Sequence, residues 1–152
     1  ELIENELEIY KEIYAGKEIV CSTALPARFI VSMDESLATT LVTNLIKNAF
    51  LHTADGGTID ISLQDGTLTV SNSGEASLDT TRLFDRFYRA DAARKSENGG
   101  HGLGLSIARI IVMAHGGKLR VRSKVGVGST FYVDLPEKQE SLASIRPVEE
   151  TA

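Results

Sequence analysis

Residues 34–53 read DESLATTLVTNLIKNAFLHT, and this stretch decides the fold because its apolar residues recur at helical spacing. Ser32 and Glu35 have the S-x-x-E spacing of a capping box, in which a serine hydroxyl and a glutamate side chain satisfy the first free backbone N–H groups of a helix. The pattern predicts one long helix from Asp34 to His52, with its N-terminus capped by Ser32.

Three polar residues share one face of this predicted helix. Asn44, Asn48 and His52 are spaced i, i+4, i+8, so at 100° per residue they form a single row. The row borders the apolar stripe that we expect to face the core. Amide side chains at a core boundary need hydrogen-bond partners. Neighbouring backbone or a bound ligand could supply them, and the residues alone leave both alternatives open.

The segments around this helix have either helical or alternating apolar spacing. The predicted elements are a helix over Leu2–Tyr14 that stops at Gly16, short strands over 19–25 and 28–31, a hairpin over 59–70 with an Asp65-Gly66 turn, a helix over 105–115 and a final strand pair between 119 and 135. This order predicts an α+β fold, a two-layer α/β sandwich whose mixed, mostly antiparallel sheet is covered on one face by helices.

Composition excludes several classes of protein. The 152 residues carry 16 Lys+Arg against 21 Asp+Glu, a net charge of −5, which argues against a nucleic-acid binder. The single cysteine, Cys21, can form no internal disulfide and reads as a small buried residue rather than a nucleophile. No apolar run approaches the ~20 residues that span a bilayer. A folded domain of a reducing cytoplasm is the expectation.

A glycine-rich stretch precedes the helix predicted at 105–115. Residues 98–105 read NGGHGLGL, and the alternating glycines allow close backbone approach while the following helix start offers free N–H groups. This combination suits a phosphate chain. The stretch follows no strand of a βαβ unit, which argues against a dinucleotide fingerprint, and it lacks the Gly-Lys-Ser/Thr ending of a P-loop. A flexible linker is the alternative.

Two arginines, Arg89 and Arg94, lie in the irregular segment before these glycines. The planar guanidinium fork matches phosphate oxygens, so a mobile loop could carry both side chains over a ligand. Solvated surface arginines are the alternative for each residue.

Four segments together resemble the catalytic, ATP-binding domain of sensor histidine kinases. LVTNLIKNAFLHT at 41–53 is similar to the asparagine box, LFDRFYRAD at 83–91 to the phenylalanine box, GGHGLGLSIARIIVMAHGG at 99–117 to the main glycine box, and GVGSTFYVDLP at 126–136 to the last glycine box. All four occur in family order. The resemblance implies the Bergerat fold, with ATP held between the asparagine helix and a movable lid.

The resemblance also implies roles for individual residues. Asn48 would bind Mg²⁺ through its amide oxygen, Asn44 would support the phosphates and His52 would lie near them. The residues implied in ATP binding are Asn44, Asn48, His52, Asn72, Gly74, Arg89, Arg94, Gly100, Gly102, Leu103, Gly104, Leu105 and Thr130, with Phe84 and Phe87 as lid anchors. Thr130 matches a hydroxyl residue near the adenine. ATP and Mg²⁺ are therefore the expected cofactors.

Two positions depart from the family pattern. Asn72 stands where an aspartate usually accepts from the adenine amino group, and an uncharged acceptor is weaker. Leu51 stands where many relatives carry a basic phosphate contact. These departures keep open an alternative function, a Bergerat-fold docking module without kinase activity. An anti-sigma-type serine kinase is a further alternative.

No histidine of this chain has the sequence context of a phosphoacceptor, and the sequence identifies no catalytic residue. His52, His101 and His115 all lie outside a His-Glu-Leu-Arg-like motif. The resemblance implies that the accepting histidine lies on a separate helical dimerisation hairpin of the same parent, which would then pass the phosphate to a response regulator. The isolated domain is expected to be monomeric, and the parent to be an inner-membrane sensor with this domain in the cytoplasm.

The resemblance and the composition together predict the domain boundaries. We expect the catalytic domain over 1–136, residues 1–17 as the helix leading from the dimerisation domain, and a flexible tail over 137–152, where the composition turns acidic and polar. The chain starts at Glu1 within a helical pattern and without an initiator Met, so a longer parent is expected.

Overall fold

A computed structural model describes residues 1–74 and 104–136. Residues 75–103, which include Arg89, Arg94 and most of the glycine-rich stretch, lie outside the described residues, as does the predicted tail 137–152. The elements are α1 (Leu2–Ile13), a 3₁₀ turn (Ala15–Lys17), β1 (Val20–Ala24), α2 (Glu35–His52), β2 (Thr58–Gln64), β3 (Thr67–Ser73), α3 (Gly104–Ala114), β4 (Lys118–Lys124) and β5 (Gly128–Asp134).

The long helix is confirmed as α2, but its predicted cap is wrong. Asp34, not Ser32, is the N-cap residue, and its carboxylate accepts a hydrogen bond from the backbone N–H of Ser36 at 2.8 Å. Asp34 has extended backbone dihedrals, which aim its short side chain at the first turn. The carboxylate also suits the positive end of the helix dipole.

The five strands form one mixed sheet in the order β1-β2-β3-β5-β4. β1 and β2 run parallel, and the other three neighbouring pairs are antiparallel. The parallel pair follows from the chain path, because the long connection between β1 and β2 contains α2. The predicted α+β sandwich and its mostly antiparallel sheet are confirmed.

Two predicted details near the N-terminus are wrong. Only Val20–Ala24 forms a strand, and residues 28–31 have no partner in the described sheet. Pairing with β2 ends at Ala24, shortly before Pro26, which has no N–H to donate to a ladder. Gly16 is not the residue that stops α1, because the helix ends at Ile13 with Tyr14 as its C-cap residue and Gly16 lies inside the following 3₁₀ turn.

One hydrophobic core lies between the helices and the inward face of the sheet. α2 packs against β3, α3 packs against β4, and α1 lies against α2. Strand alternation sends every second side chain of β2, β3 and β5 into this layer. The buried apolar residues are Leu7, Leu41, Val42, Leu45, Ile46, Ala49, Phe50, Ile59, Ile61, Leu68, Val70, Ala108, Ile111, Val112, Phe131 and Val133.

Candidate nucleotide-binding site

The polar row of α2 lies at the edge of the core. Asn44, Asn48 and His52 are all partly buried, whereas Leu45 and Ala49 beside them are fully buried. The predicted position of the row along the buried stripe is therefore confirmed. Its side chains lie where water is largely excluded, so each hydrogen bond that they make or lack carries more weight.

Asn48 carries an unsatisfied polar group. Its amide nitrogen Nδ2 is buried and has no hydrogen-bond partner among the described residues. Burying an amide donor without a partner costs about 1–3 kcal/mol. The two ends of the amide exchange by a half-turn of the side chain, so this position can offer either a donor or a carbonyl acceptor to a ligand. A ligand polar group here would remove the penalty.

The first residue of α3 lies against Asn44. A Cβ atom added at Gly104 would lie 3.2 Å from Asn44 Oδ1, so glycine lets the helix start approach the amide side chain closely. The start of α3 therefore lies beside the row. Leu105 follows Gly104 and packs against the core, which anchors this end of the helix.

The end of β3 approaches the other end of the row. Asn72 is buried, with 6% of its surface exposed, and follows Leu68 and Val70 on the inward face. Its Nδ2 donates to the backbone oxygen of Ser73 at 3.1 Å. A Cβ added at Gly74 would lie 3.6 Å from the backbone oxygen of His52, so β3 ends next to the last turn of α2. Asn72 and Gly74 thus lie near the C-terminal end of the polar row.

Thr130 does not lie on the same side of the sheet as the other predicted site residues. It faces the outer side of the sheet, where its Oγ1 lies 2.9 Å from Ser71 Oγ. Ser129 lies on the inward side instead, is 5% exposed, and is the register partner of Asn72. The sequence analysis missed Ser129. Strand alternation could have found it, because Phe131 is a clear core residue and Ser129 shares its face.

Lys17 closes the C-terminal end of α2. Its Nζ donates to the backbone oxygens of Phe50 and Thr53, each at 2.9 Å, and of Leu51 at 3.4 Å. These carbonyls belong to the last turn of the helix and to its C-cap residue Thr53, where the backbone acceptors run short of intrahelical donors. Burial lowers the pKa of Lys17, although Asp55 opposes the change.

His52 lies within this lysine-capped turn. Burial of the ring, and secondarily the positive charge of Lys17, lower the pKa of His52 below its ordinary value. His52 is therefore neutral at pH 7 and offers one donor and one acceptor. A neutral ring near a phosphate chain can donate a hydrogen bond without contributing a full positive charge.

His115 and Cys21, the other histidine and nucleophile candidates that the structure describes, have ordinary structural settings. His115 donates from Nδ1 to the backbone oxygen of Ile111 at 2.7 Å and so closes the end of α3. Burial raises the pKa of the Cys21 thiol, which keeps it protonated and unreactive. His101, Arg89, Arg94, Gly100, Gly102 and Leu103 lie outside the described residues, as do Phe84 and Phe87.

Side chains of the described residues do not form a metal cage. Over 1–74 and 104–136, no group of three or more His, Cys, Asp or Glu side chains could hold an ion. Within the same ranges, none of the helices combines the length and apolarity that a membrane span needs.

Comparison with known proteins agrees with this geometry. The family model described as "Histidine kinase-, DNA gyrase B-, and HSP90-like ATPase" matches residues 33–139, most of the chain, and the match covers α2, the glycine-rich stretch of the sequence and the last four strands.

Two curated relatives are sensor kinases by name. The sensor-like histidine kinase SenX3 of Mycolicibacterium smegmatis is 32% identical over 142 residues, which cover 90% of this chain and 37% of that protein. The sensor histidine kinase RppB of Synechocystis is 36% identical over 143 residues, which cover 90% of this chain and 32% of that protein. The chain thus spans about a third of the length of these relatives.

A solved structure shares the fold. The mycobacterial sensor histidine kinase MprB superposes with a TM-score of 0.79 at 26% identity, over 91% of this chain and 95% of the solved chain.

Proposed function

The chain belongs to the family of histidine kinase-, DNA gyrase B- and HSP90-like ATPases, and on that premise we propose that it is the catalytic domain of a sensor histidine kinase. It binds Mg·ATP and donates the γ-phosphate to a histidine on a separate helical hairpin of a longer parent. A response regulator then receives the phosphate. The parent is a membrane-anchored sensor, and this domain is on its cytoplasmic side.

The observation that carries the proposal is the partnerless amide of Asn48. It lies in a row with Asn44 and His52, and Gly104 brings the start of α3 to that row. Buried polar groups are normally satisfied, and a ligand that supplies the missing partner accounts for an unsatisfied one. The phosphate chain of ATP, with its many acceptor oxygens, is that ligand.

Asn48 also fits a magnesium ion. Mg²⁺ prefers oxygen ligands and is commonly held by one or two protein oxygens together with water and substrate phosphates. A single amide oxygen from Asn48 is such a ligand, and it needs no metal cage of acidic side chains. When bound, the ion would neutralise charge on the phosphates of ATP.

The other members of the row have supporting tasks. Asn44 hydrogen-bonds toward the phosphates beside the N–H groups that begin α3. His52 donates from its neutral ring. Asn72 accepts from the adenine amino group through its side-chain oxygen, while Ser129 beside it replaces Thr130 as the hydroxyl residue near the base. Arg89 and Arg94, with Gly100, Gly102 and Leu103, complete the phosphate side from the lid segment.

The residue types favour phosphoryl transfer over hydrolysis. ATPases of this superfamily use a glutamate one turn before the metal-binding asparagine to activate water, and that position here is Asn44. An amide cannot act as a general base at neutral pH. Catalysis is then mainly positioning and charge neutralisation, and the nucleophile comes from the partner hairpin.

Calorimetric titration of ATP into the chain, with and without Mg²⁺, tests the proposal. We expect a Kd between micromolar and sub-millimolar that weakens about tenfold or more when Mg²⁺ is removed or Asn48 is replaced by alanine. Asn5→Ala is the matched control, because Asn5 is an exposed amide on α1.

Three results would contradict parts of the proposal. A folded chain that binds no ATP at millimolar concentration favours the docking-module alternative and points to Asn72 and Leu51. Strong binding without phosphorylation of an added acceptor hairpin removes the histidine kinase assignment. Phosphorylation of a serine in a partner protein favours the anti-sigma-type alternative.

A further inference from the structure

The outer face of β4 carries a row of positive charges. Lys118, Arg120, Arg122 and Lys124 occupy alternate positions of the strand and are all exposed, whereas Leu119 and Val121 between them point toward the core. Alternate residues of a strand lie about 7 Å apart on one face. We call these four residues the cationic row.

One member of the row is already engaged. Arg120 donates from Nε and Nη2 to the carboxylate of Asp134, at 2.9 and 3.2 Å, and lies over the ring of Tyr132 at 4.9 Å. Within the part of the chain that the structure describes, Lys118, Arg122 and Lys124 form no ion pair. The face therefore keeps a local excess of positive charge.

This excess contrasts with the rest of the molecule. The whole chain has a net charge of −5, whereas β4 carries four cations, of which Arg120 bonds to Asp134 and Lys118 lies opposite the same carboxylate. A membrane or a nucleic-acid duplex is a large anionic surface and would also face the acidic remainder of the protein. A narrow anionic ligand that follows one strand avoids that repulsion.

The same strand is the edge of the sheet. β4 pairs only with β5 and is the last strand in the order of the described sheet. Along an edge strand, every second residue leaves its backbone N–H and C=O without a sheet partner. Only another extended polypeptide can pair with this alternation of donors and acceptors.

We propose that the free edge of β4 binds an extended acidic segment of a partner protein as an added strand. Acidic side chains at alternate positions of that segment would lie opposite Lys118, Arg122 and Lys124, because directly paired residues of adjacent strands have Cβ atoms about 5 Å apart. Backbone hydrogen bonds would supply affinity, and the charge period would supply selectivity. This edge of β4 does not include the polar row of α2. The proposal made here therefore does not depend on the function proposed above.

The test uses two fluorescent peptides of the same composition. In one peptide glutamate alternates with valine and threonine, and in the other the glutamates form a block. Fluorescence anisotropy measures binding to the chain at low salt, and hydrogen exchange of the β4 amides reports whether a strand has been added. We expect the alternating peptide to bind more tightly and to slow exchange of the outward-pointing amides between Lys118 and Lys124.

Charge-matched variants locate the surface. Arg122→Glu should weaken binding of the alternating peptide about tenfold, because it removes one attraction and adds a repulsion. Lys11→Glu makes the same change in net charge on α1 and should alter affinity less than about twofold. Lys124→Glu repeats the test if Arg122→Glu lowers the melting temperature.

Five results would overturn the proposal. Equal binding of the block peptide, or binding without protection of β4 amides, would show attraction by charge alone. Tighter binding of anionic vesicles or duplex DNA, with the same sensitivity to Arg122→Glu, would show a different kind of partner. Equal effects of Arg122→Glu and Lys11→Glu would place binding elsewhere. If no peptide binds at millimolar concentration and an Arg122→Ser/Lys124→Ser variant self-associates, the cationic row serves only to protect the edge of β4 from pairing.

Discussion

Gly104 begins α3 so close to Asn44 that an added Cβ would lie 3.2 Å from the amide oxygen Oδ1. This contact joins the start of α3 to the polar row of α2, and it makes the position of the Asn44 side chain sensitive to a single methyl group. The proposed nucleotide site therefore depends on a contact between two helices that are far apart in the sequence.

Gly104→Ala tests this contact. We expect ATP affinity to fall about fivefold to tenfold, because Asn44 must shift by a few tenths of an ångström and lose alignment with the phosphates. The free energy of unfolding should change by less than about 1 kcal/mol, since alanine's helix propensity offsets the crowding. Gly16→Ala is the control, because nothing lies within 4 Å of a Cβ there. Unchanged ATP affinity in Gly104→Ala would contradict the role given to Asn44.

Lys17→Met tests the cap on α2. The methionine keeps the apolar stem but removes the ammonium that bonds to three backbone oxygens of the last helical turn. We expect a loss of about 2 kcal/mol in the free energy of unfolding, measured by urea titration. Lys11→Met is the control on α1, where the exposed lysine pairs with Glu8 and the loss should be below about 0.5 kcal/mol. Equal losses in the two variants would mean that the cap contributes no stability.

His52 makes stability depend on pH. Its pKa in the folded state lies below the ordinary value because of burial and the charge of Lys17. Between the folded-state pKa and about 6.5, the unfolded chain therefore binds more protons at this residue, and stability falls as the pH drops through that range. NMR titration of the ring should show a pKa below about 6.5 that rises in Lys17→Met. A His52 pKa at or above the ordinary value would show that the ring is solvated.

Two glycines of the β4–β5 connection should differ in their tolerance of alanine. A Cβ at Gly128 (φ 136°) would overlap the backbone oxygen of Asn72, because β5 starts directly against the end of β3. Gly128→Ala should cost more than about 3 kcal/mol in the free energy of unfolding. Gly126 (φ 78°) faces open space, so Gly126→Ala should cost only about 1 kcal/mol for its left-handed backbone. Similar losses in both variants would mean that the strands can separate at this point.

Substitutions of Asp34 and Ser32 test which of the two residues caps the N-terminus of α2. Asp34→Ala should lower the melting temperature by about 3 °C, because the carboxylate that accepts from Ser36 is lost. Ser32→Ala should leave the melting temperature within about 1 °C, since the structure assigns no cap bond to Ser32. Differential scanning calorimetry distinguishes the two, and a larger effect of Ser32→Ala would restore the capping box.

Several elements could be predicted from the sequence because their causes are local. The apolar spacing of α2 and the i, i+4, i+8 row of Asn44, Asn48 and His52 depend only on helix geometry. The hairpin of β2 and β3 turns at Asp65 and Gly66, both of which have positive φ values in the structure. Residues 28–31 were predicted wrongly as a strand because a strand also needs a partner with free backbone groups, which is not a local property.

The sequence by itself determined most of the elements and most residue types of the proposed site, because periodicity, turns and motifs depend on neighbouring residues. Only the tertiary structure decided which side chains meet. It brought Gly104 to Asn44 and Lys17 to the end of α2, and it put Ser129 rather than Thr130 beside Asn72. It also left β4, with its cationic row, at the edge of the sheet. These relationships depend on helix packing and strand order, which join segments that are distant in the chain.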